Sequence, residues 1–190
     1  MTPCWITLPG KESMAMPDLE IDRYPIGRFE RPRGPLDAAA RATFIDAIGA
    51  TPATIRSLVE RLDDRQLDSS YRAGGWTIRQ VVHHVPDSHM NMYIRMKLAV
   101  TEDVPTIKPY DEGRWAELAD GGSARISMSL DLLDALHRRW VTLLRALSEQ
   151  QYQRTFVHPE LGSVALFEAL AIYAWHGRHH AAHIRNAISR

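Results

Sequence analysis

Cysteine is almost missing from this 190-residue chain: Cys4 stands alone, in a proline-containing N-terminal segment without helical periodicity. One cysteine cannot close an intramolecular disulfide. In such a segment it is also ill placed as a buried nucleophile or thiolate ligand, which excludes zinc-finger and thiol-protease chemistry. Net charge is missing too, because 23 Lys and Arg balance 23 Asp and Glu. No global field therefore draws the chain to nucleic acid, an anionic membrane or a polyanionic substrate, and a small molecule or another protein is the expected partner. Long apolar runs are also lacking. The longest, Ala169 to Trp175, is far short of a membrane span, and Met1 to Met16, broken by Pro3, Pro9, Gly10 and Lys11, holds no secretion-type apolar stretch. A cytoplasmic protein is expected. No GxSxG elbow supports a serine hydrolase, no glycine loop cradles phosphate, and no HExxH motif occurs.

What is present is helical periodicity in a chain long enough to bury roughly two thirds of its unfolded surface as one domain. The first ~35 residues carry Pro17, Pro25, Pro32 and Pro35 among glycines and charges, a composition that suits an extended arm. Thr51-Pro52 reads as an N-cap and first helical residue. Ile55, Leu58, Val59 and Leu62 follow at helical spacing, predicting a helix to about Asp63 with Ala39 to Ile48 as its helical lead-in. After the Gly74-Gly75 break, Thr77 caps a second helix whose apolar stripe runs from Ile78 through Val81, Val82, Val85, Met92 and Tyr93 to Met96, with a kink expected at Pro86. Thr101 to Gly122 reads as a long crossover. A third helix is predicted over Ser129–Leu147, and a fourth from a cap at Ser163 to about Ile188. Four long amphipathic helices without a convincing strand pattern predict an all-α, four-helix bundle with an extended N-terminal arm.

Nine histidines occur, and His176, His179, His180 and His183 share the last helix. On a helical wheel His180 lies beside the apolar centre and His176 on its flank, which favours this i, i+4 pair as inward-facing. His179 with His183 is the competing pair. On the second helix His89 falls within the apolar stripe, as a hydrogen-bonded core residue would, and His84 lies on its flank. Ser88, Asn91 and Arg95 continue the line of His84, which describes either a pocket wall or a solvated face. His137 and His158 have no partner at ligand spacing. Two imidazoles from one helix and a third from another can hold zinc while leaving one position open.

The segments Gly74 to Val85, Asp87 to Asn91, Thr106 to Tyr110 and Trp175 to Ile184, with Tyr24-Pro25-Ile26-Gly27, resemble the YfiT branch of the DinB-like superfamily. The resemblance covers about Tyr24 to the C-terminus, so residues 1–23 are expected to form a flexible extension and 24–190 a single bundle domain. Met14 and Met16 are alternative starts closer to the family's N-terminus. The resemblance implies a homodimer and one divalent metal per chain on His84, His176 and His180, selecting His84 over His89. Zinc is the default metal, and nickel, iron and manganese also suit such a set. One departure is Pro86, where relatives usually have a small helix former.

The resemblance further implies a metal-dependent hydrolase that uses a metal-activated water. The alternative is an S-transferase in which the metal activates a low-molecular-weight thiol such as bacillithiol for attack on electrophiles. A second alternative is a non-catalytic, metal-stapled bundle. Hydrolysis asks for a general base, and on the two ligand helices only Asp87 and Glu168 are available, both off the metal face by periodicity. Thiol transfer asks instead for groups that hold an anionic cofactor, for which Asn91 and Arg95 are the candidates. The catalytic groups beyond the water or thiolate stay unassigned.

Overall fold

The computed structural model describes residues 17–189; Cys4 and the alternative starts Met14 and Met16 lie outside them. The elements are α1 (Pro17–Arg23), α2 (Ala38–Val59), α3 (Asp64–Leu67), α4 (Ile78–Thr101), α5 (Glu112–Ala116) and α6 (Ala119–Gly122). They continue with α7 (Ile126–Ala146), α8 (Glu149–Tyr152), the strands β1 (Thr155–His158) and β2 (Gly162–Ala165), and α9 (Leu166–Ile188). The four long helices form the bundle. α2 packs on α7 and α9, and α4 packs on the same two, so α2 and α4, consecutive among the long helices, sit diagonally.

Local chemistry explains most boundaries. Thr77 accepts from the Gln80 amide and Gln80 returns a bond to the Thr77 amide, a capping box that starts α4 as expected. α2 differs from its predicted start. Thr51-Pro52 lies inside one continuous helix capped by Asp37, whose carboxylate accepts from Ala40 N at 2.7 Å. The proline takes away the amide that would have reached the Ile48 carbonyl, and a side chain from α7 supplies the missing donor, so the helix runs on. α9 also starts later than predicted. Ser163 is not its cap but belongs to β2, and Glu168 accepts from Ala165 N at 2.9 Å instead. The hairpin β1/β2, with Phe156 opposite Val164, adds a small sheet to the helices. The crossover is tied to it, since Ile107 N donates to Val157 O and Val157 N to Pro105 O. The arm carries a short helix, α1, docked on α9 rather than being extended throughout.

Two apolar clusters fill the interior. One gathers Ile48, Met92, Met96, Trp140, Leu144, Leu170 and Phe156; the other gathers Ile55, Val59, Ile78, Val81, Leu133 and Ile184. Each long helix passes from one cluster to the other. The residues at the crossing points are Thr51-Pro52 on α2, His89 on α4, His137 on α7, and His176 and His180 on α9, with His84 about one turn before the crossing on α4. A layer of histidines thus separates two apolar halves.

Candidate metal centre

His84, His176 and His180 each bring one ring nitrogen into a set whose members lie within 4.8 Å of one another, all three side chains being buried. The i, i+4 spacing on α9 sets His176 one turn before His180, their rings edge to face with centroids 4.5 Å apart. His84 faces both from α4, at 5.5 and 4.9 Å between centroids. Its neighbour His83 points elsewhere, donating from Nε2 to Ala124 O and lying 2.7 Å from Ser129 Oγ. Trp76 packs on His84 with centroids 4.6 Å apart. At Gly177 the helix comes so close to α2 that an added Cβ would stand 2.5 Å from Thr51 Oγ1; only glycine permits this approach beside His176.

Burial holds these rings neutral. It lowers His84 to about 3, helped by His183, and lowers His176 and His180 well below the ordinary histidine value, with neighbouring imidazoles adding to the effect. Neutral imidazoles are the form that binds a metal. The Nε2 atom of His176 is buried and without a hydrogen-bond partner among the described residues. A buried acceptor with nothing to accept is costly, and a cation held by His176 with His84 and His180 relieves that cost. The donor set therefore fits a divalent metal with an open coordination position.

The other histidines surround this set. His89, in the apolar stripe and fully buried, is a hydrogen-bonded core residue as expected: its Nδ1 is 2.8 Å from His137 Nε2 and its Nε2 is 3.0 Å from His176 Nδ1. His137 donates from Nδ1 to Ile48 O at 2.7 Å. His183 donates from Nε2 to Arg23 O at 3.2 Å and lies 3.4 Å from His180 Nδ1. His179, the member of the competing pair furthest out on the wheel, is buried as well, stacked on Trp175. Spacing could not reveal the part of His137, because its neighbours come from α2 and α4; its one sequence signal is a proline inside a helix that needs a substitute donor.

The polar line below His84 is less exposed than a solvated face. Ser88 and Arg95 are buried and Asn91 is half-buried. Tyr173 O–H donates to Ser88 O at 3.2 Å and lies 3.1 Å from Ser88 Oγ, and its ring is next to His176. Asn91 donates to Asp87 O one turn back on its own helix. Arg95 donates to Lys108 O in the crossover, and no carboxylate among the described residues pairs with it. Asn91 sits about two turns and Arg95 about three turns along α4 from His84, the latter roughly 16 Å of helix rise, so these two residues are not gathered around the ligand set. Asp87 is half-buried; desolvation, with Asp120 close by, pushes it up to about 6. Glu168 is engaged at the start of α9 and faces Arg31.

The fold and the donor set define a helical-bundle protein with a metal-competent three-histidine centre. The model of the DinB superfamily matches residues 47–184. A protein of Oceanobacillus iheyensis is 50% identical over 169 residues, covering 89% of this chain and 97% of its own, and one of Bacillus cereus is 52% identical over 168 residues, covering 88% and 96%. Both carry the provisional name metal-dependent hydrolase. The solved structure of YfiT from Bacillus subtilis, also provisionally a metal-dependent hydrolase and noted for an unusual four-helix bundle topology, superposes with a TM-score of 0.87 at 47% identity, covering 90% of this chain and 97% of that one. A more distant four-helix bundle structure, at 21% identity and a TM-score of 0.53, shares the fold alone. This chain belongs to the DinB superfamily, in its YfiT branch.

Proposed function

We propose that the chain is a metal-dependent enzyme, a hydrolase of a small-molecule substrate, whose centre is His84, His176 and His180. The observation that carries this reading is the orphaned, buried Nε2 of His176 within a converging set of neutral imidazoles. A divalent cation held there, zinc by default, supplies Lewis acidity to whatever small molecule occupies its open position. His84, His176 and His180 hold the cation, Trp76 covers His84, and Tyr173 and Ser88 brace α9 against α4 beside the ligands. Asp87, three residues after His84, is half-buried, and desolvation pushes it up to about 6; it has no contact with the three histidines that would assign it a role.

A second reading is S-transfer, with a low-molecular-weight thiol as the nucleophile. One observation favours it: Arg95 is buried without an acid partner among the described residues, which suits an anionic cofactor extending from the centre, with Asn91 beside it. If the metal only stapled the bundle, chelation would lower Tm sharply; an enzyme with two intact apolar clusters keeps its fold.

Elemental analysis of the wild type beside His180→Ala is the deciding experiment. About one zinc per chain, lost in the variant, supports the centre and sets up parallel assays of ester or amide hydrolysis and thiol conjugation. No metal in reconstituted wild type overturns it. If Arg95→Ala leaves thiol-conjugation kinetics unchanged, Arg95 has no part in holding a thiol. The homodimer is a further proposal, which a monomeric sedimentation profile would remove.

A further inference from the structure

We propose that two imidazole relays, His137–His89–His176 and His183–His180, fix the tautomers of both α9 ligands so that each presents its Nε2 lone pair to the metal centre. His89, His137 and His183 are then positioning residues; the inference rests on the metal-centre reading above.

The argument follows the hydrogens. A backbone carbonyl only accepts, so the 2.7 Å contact from His137 Nδ1 to Ile48 O requires a proton on Nδ1. A neutral imidazole has one N–H, which leaves His137 Nε2 as an acceptor. His89 Nδ1, 2.8 Å away, must donate to it. His89 Nε2 is then the acceptor facing His176 Nδ1 at 3.0 Å, which must carry the next proton. What remains on His176 is the Nε2 lone pair, and this is the atom found buried with no partner. The second relay runs the same way. His183 Nε2 donates to Arg23 O at 3.2 Å, its Nδ1 accepts from His180 Nδ1 at 3.4 Å, and His180 Nε2 is left as the lone pair. That last link is long for a hydrogen bond, so the second relay constrains its ligand less.

Neutrality, on which the proton count depends, follows from where the rings lie: His89 and His137 are 0 % and 1 % exposed, and no carboxylate among the described residues forms an ion pair with either. The start of the first relay follows from the sequence. Ile48 O is available because the residue four positions on is Pro52, which has no amide hydrogen to return to it. A metal-ligating histidine commonly donates its other nitrogen to a carbonyl or carboxylate, which sets its orientation and raises its basicity. Here two further imidazoles stand between the ligand and that carbonyl.

Nitrogen-15 NMR of the histidine rings in the metal-free, full-length chain tests the assignment directly. The expected pattern is a proton on Nδ1 in His89, His137, His176 and His180 and on Nε2 in His183. A proton on Nε2 of His89 or His137 overturns the proposal whatever the variants do. Competition titration with zinc then reads the consequence. His89→Leu is expected to weaken binding roughly 10- to 100-fold, with the single tautomer of His176 lost. His89→Gln, which keeps one donor and one acceptor, is expected to recover most of that affinity and the Nδ1–H signal of His176. Equal zinc affinity in wild type and His89→Leu overturns the proposal. A wild type with these tautomers that takes up no zinc refutes the metal-centre reading, and mixed tautomers in a zinc-binding wild type refute the relays alone.

Discussion

The two apolar halves of the bundle and the histidine layer between them are equally buried and differently held. In the halves, side chains such as Trp140, Leu170, Ile55 and Ile184 are at or near 0 % exposure, and their stability comes from area removed from water and from close packing. In the layer, His89 is 0 % exposed and none of His84, His137, His176, His179, His180 and His183 exceeds 5 %, yet these rings carry polar atoms that burial penalises unless each finds a partner. The halves need only volume and shape. The layer needs directed hydrogen bonds and, at His176 Nε2, the partner that the proposed cation would supply. Stability is thus concentrated in the regions that do no chemistry, and the costly polar groups in the one region that can.

Acid separates the two regions most strongly. Unfolded histidines protonate near 6.5, whereas burial holds His84 and His179 down to about 3 and His137 and His183 down to about 4. The unfolded state therefore binds more protons, and stability that is complete above about pH 6.5 is lost as pH falls toward 4. The expected slope is roughly 1 kcal/mol per pH unit for each such histidine, so metal-free protein should unfold cooperatively before pH 4. Melting curves across pH check this, and a flat Tm between pH 6.5 and 4.5 would contradict neutral burial.

Leu170→Ala, which cuts into an apolar half, is expected to cost about 2–5 kcal/mol in urea unfolding. The folded fraction should keep the zinc stoichiometry of wild type; a fall in zinc content would show that packing in the halves controls the layer. Gly177→Ala acts at the border between them. Its new methyl meets Thr51, and an overpacking loss of about 1–3 kcal/mol is expected, relieved in the double variant with Thr51→Ala. Additive losses in the double-mutant cycle would remove the contact as the cause. Pro52→Ala should have the smallest effect. It returns an amide that competes with His137 for Ile48 O, so Tm is expected to hold or rise while zinc affinity falls severalfold. Unchanged affinity would mean that the carbonyl serves both donors.

Much of this arrangement was legible before the fold was known, for physical reasons that differ by element. The long helices announce themselves through 3.6-residue periodicity, and Thr77 with Gln80 through a local cap. One helix's spacing favours His176 with His180 without excluding His179 with His183, and the resemblance to known bundles selects that pair and adds His84 from another helix. The hairpin was missed because Thr155–His158 and Gly162–Ala165 are only four residues each, too short for alternation to register. Thr51-Pro52 reads as a helix start because the local signal is correct in isolation; its answer, His137, lies 89 residues from Ile48. The relays were invisible for the same reason, since every link but one joins different helices.

Arg23 O and His183 are 160 residues apart, and the ligands themselves span His84 to His180. Contacts so distant in sequence close only after local structure has formed, because their loop entropy must first be met by other interactions. Both α1, which ends at Arg23, and α9 must be in place before His183 can meet the Arg23 carbonyl. The centre is thus made of contacts of high sequence separation, whose loop-closure cost is met by the packing of the four long helices around it.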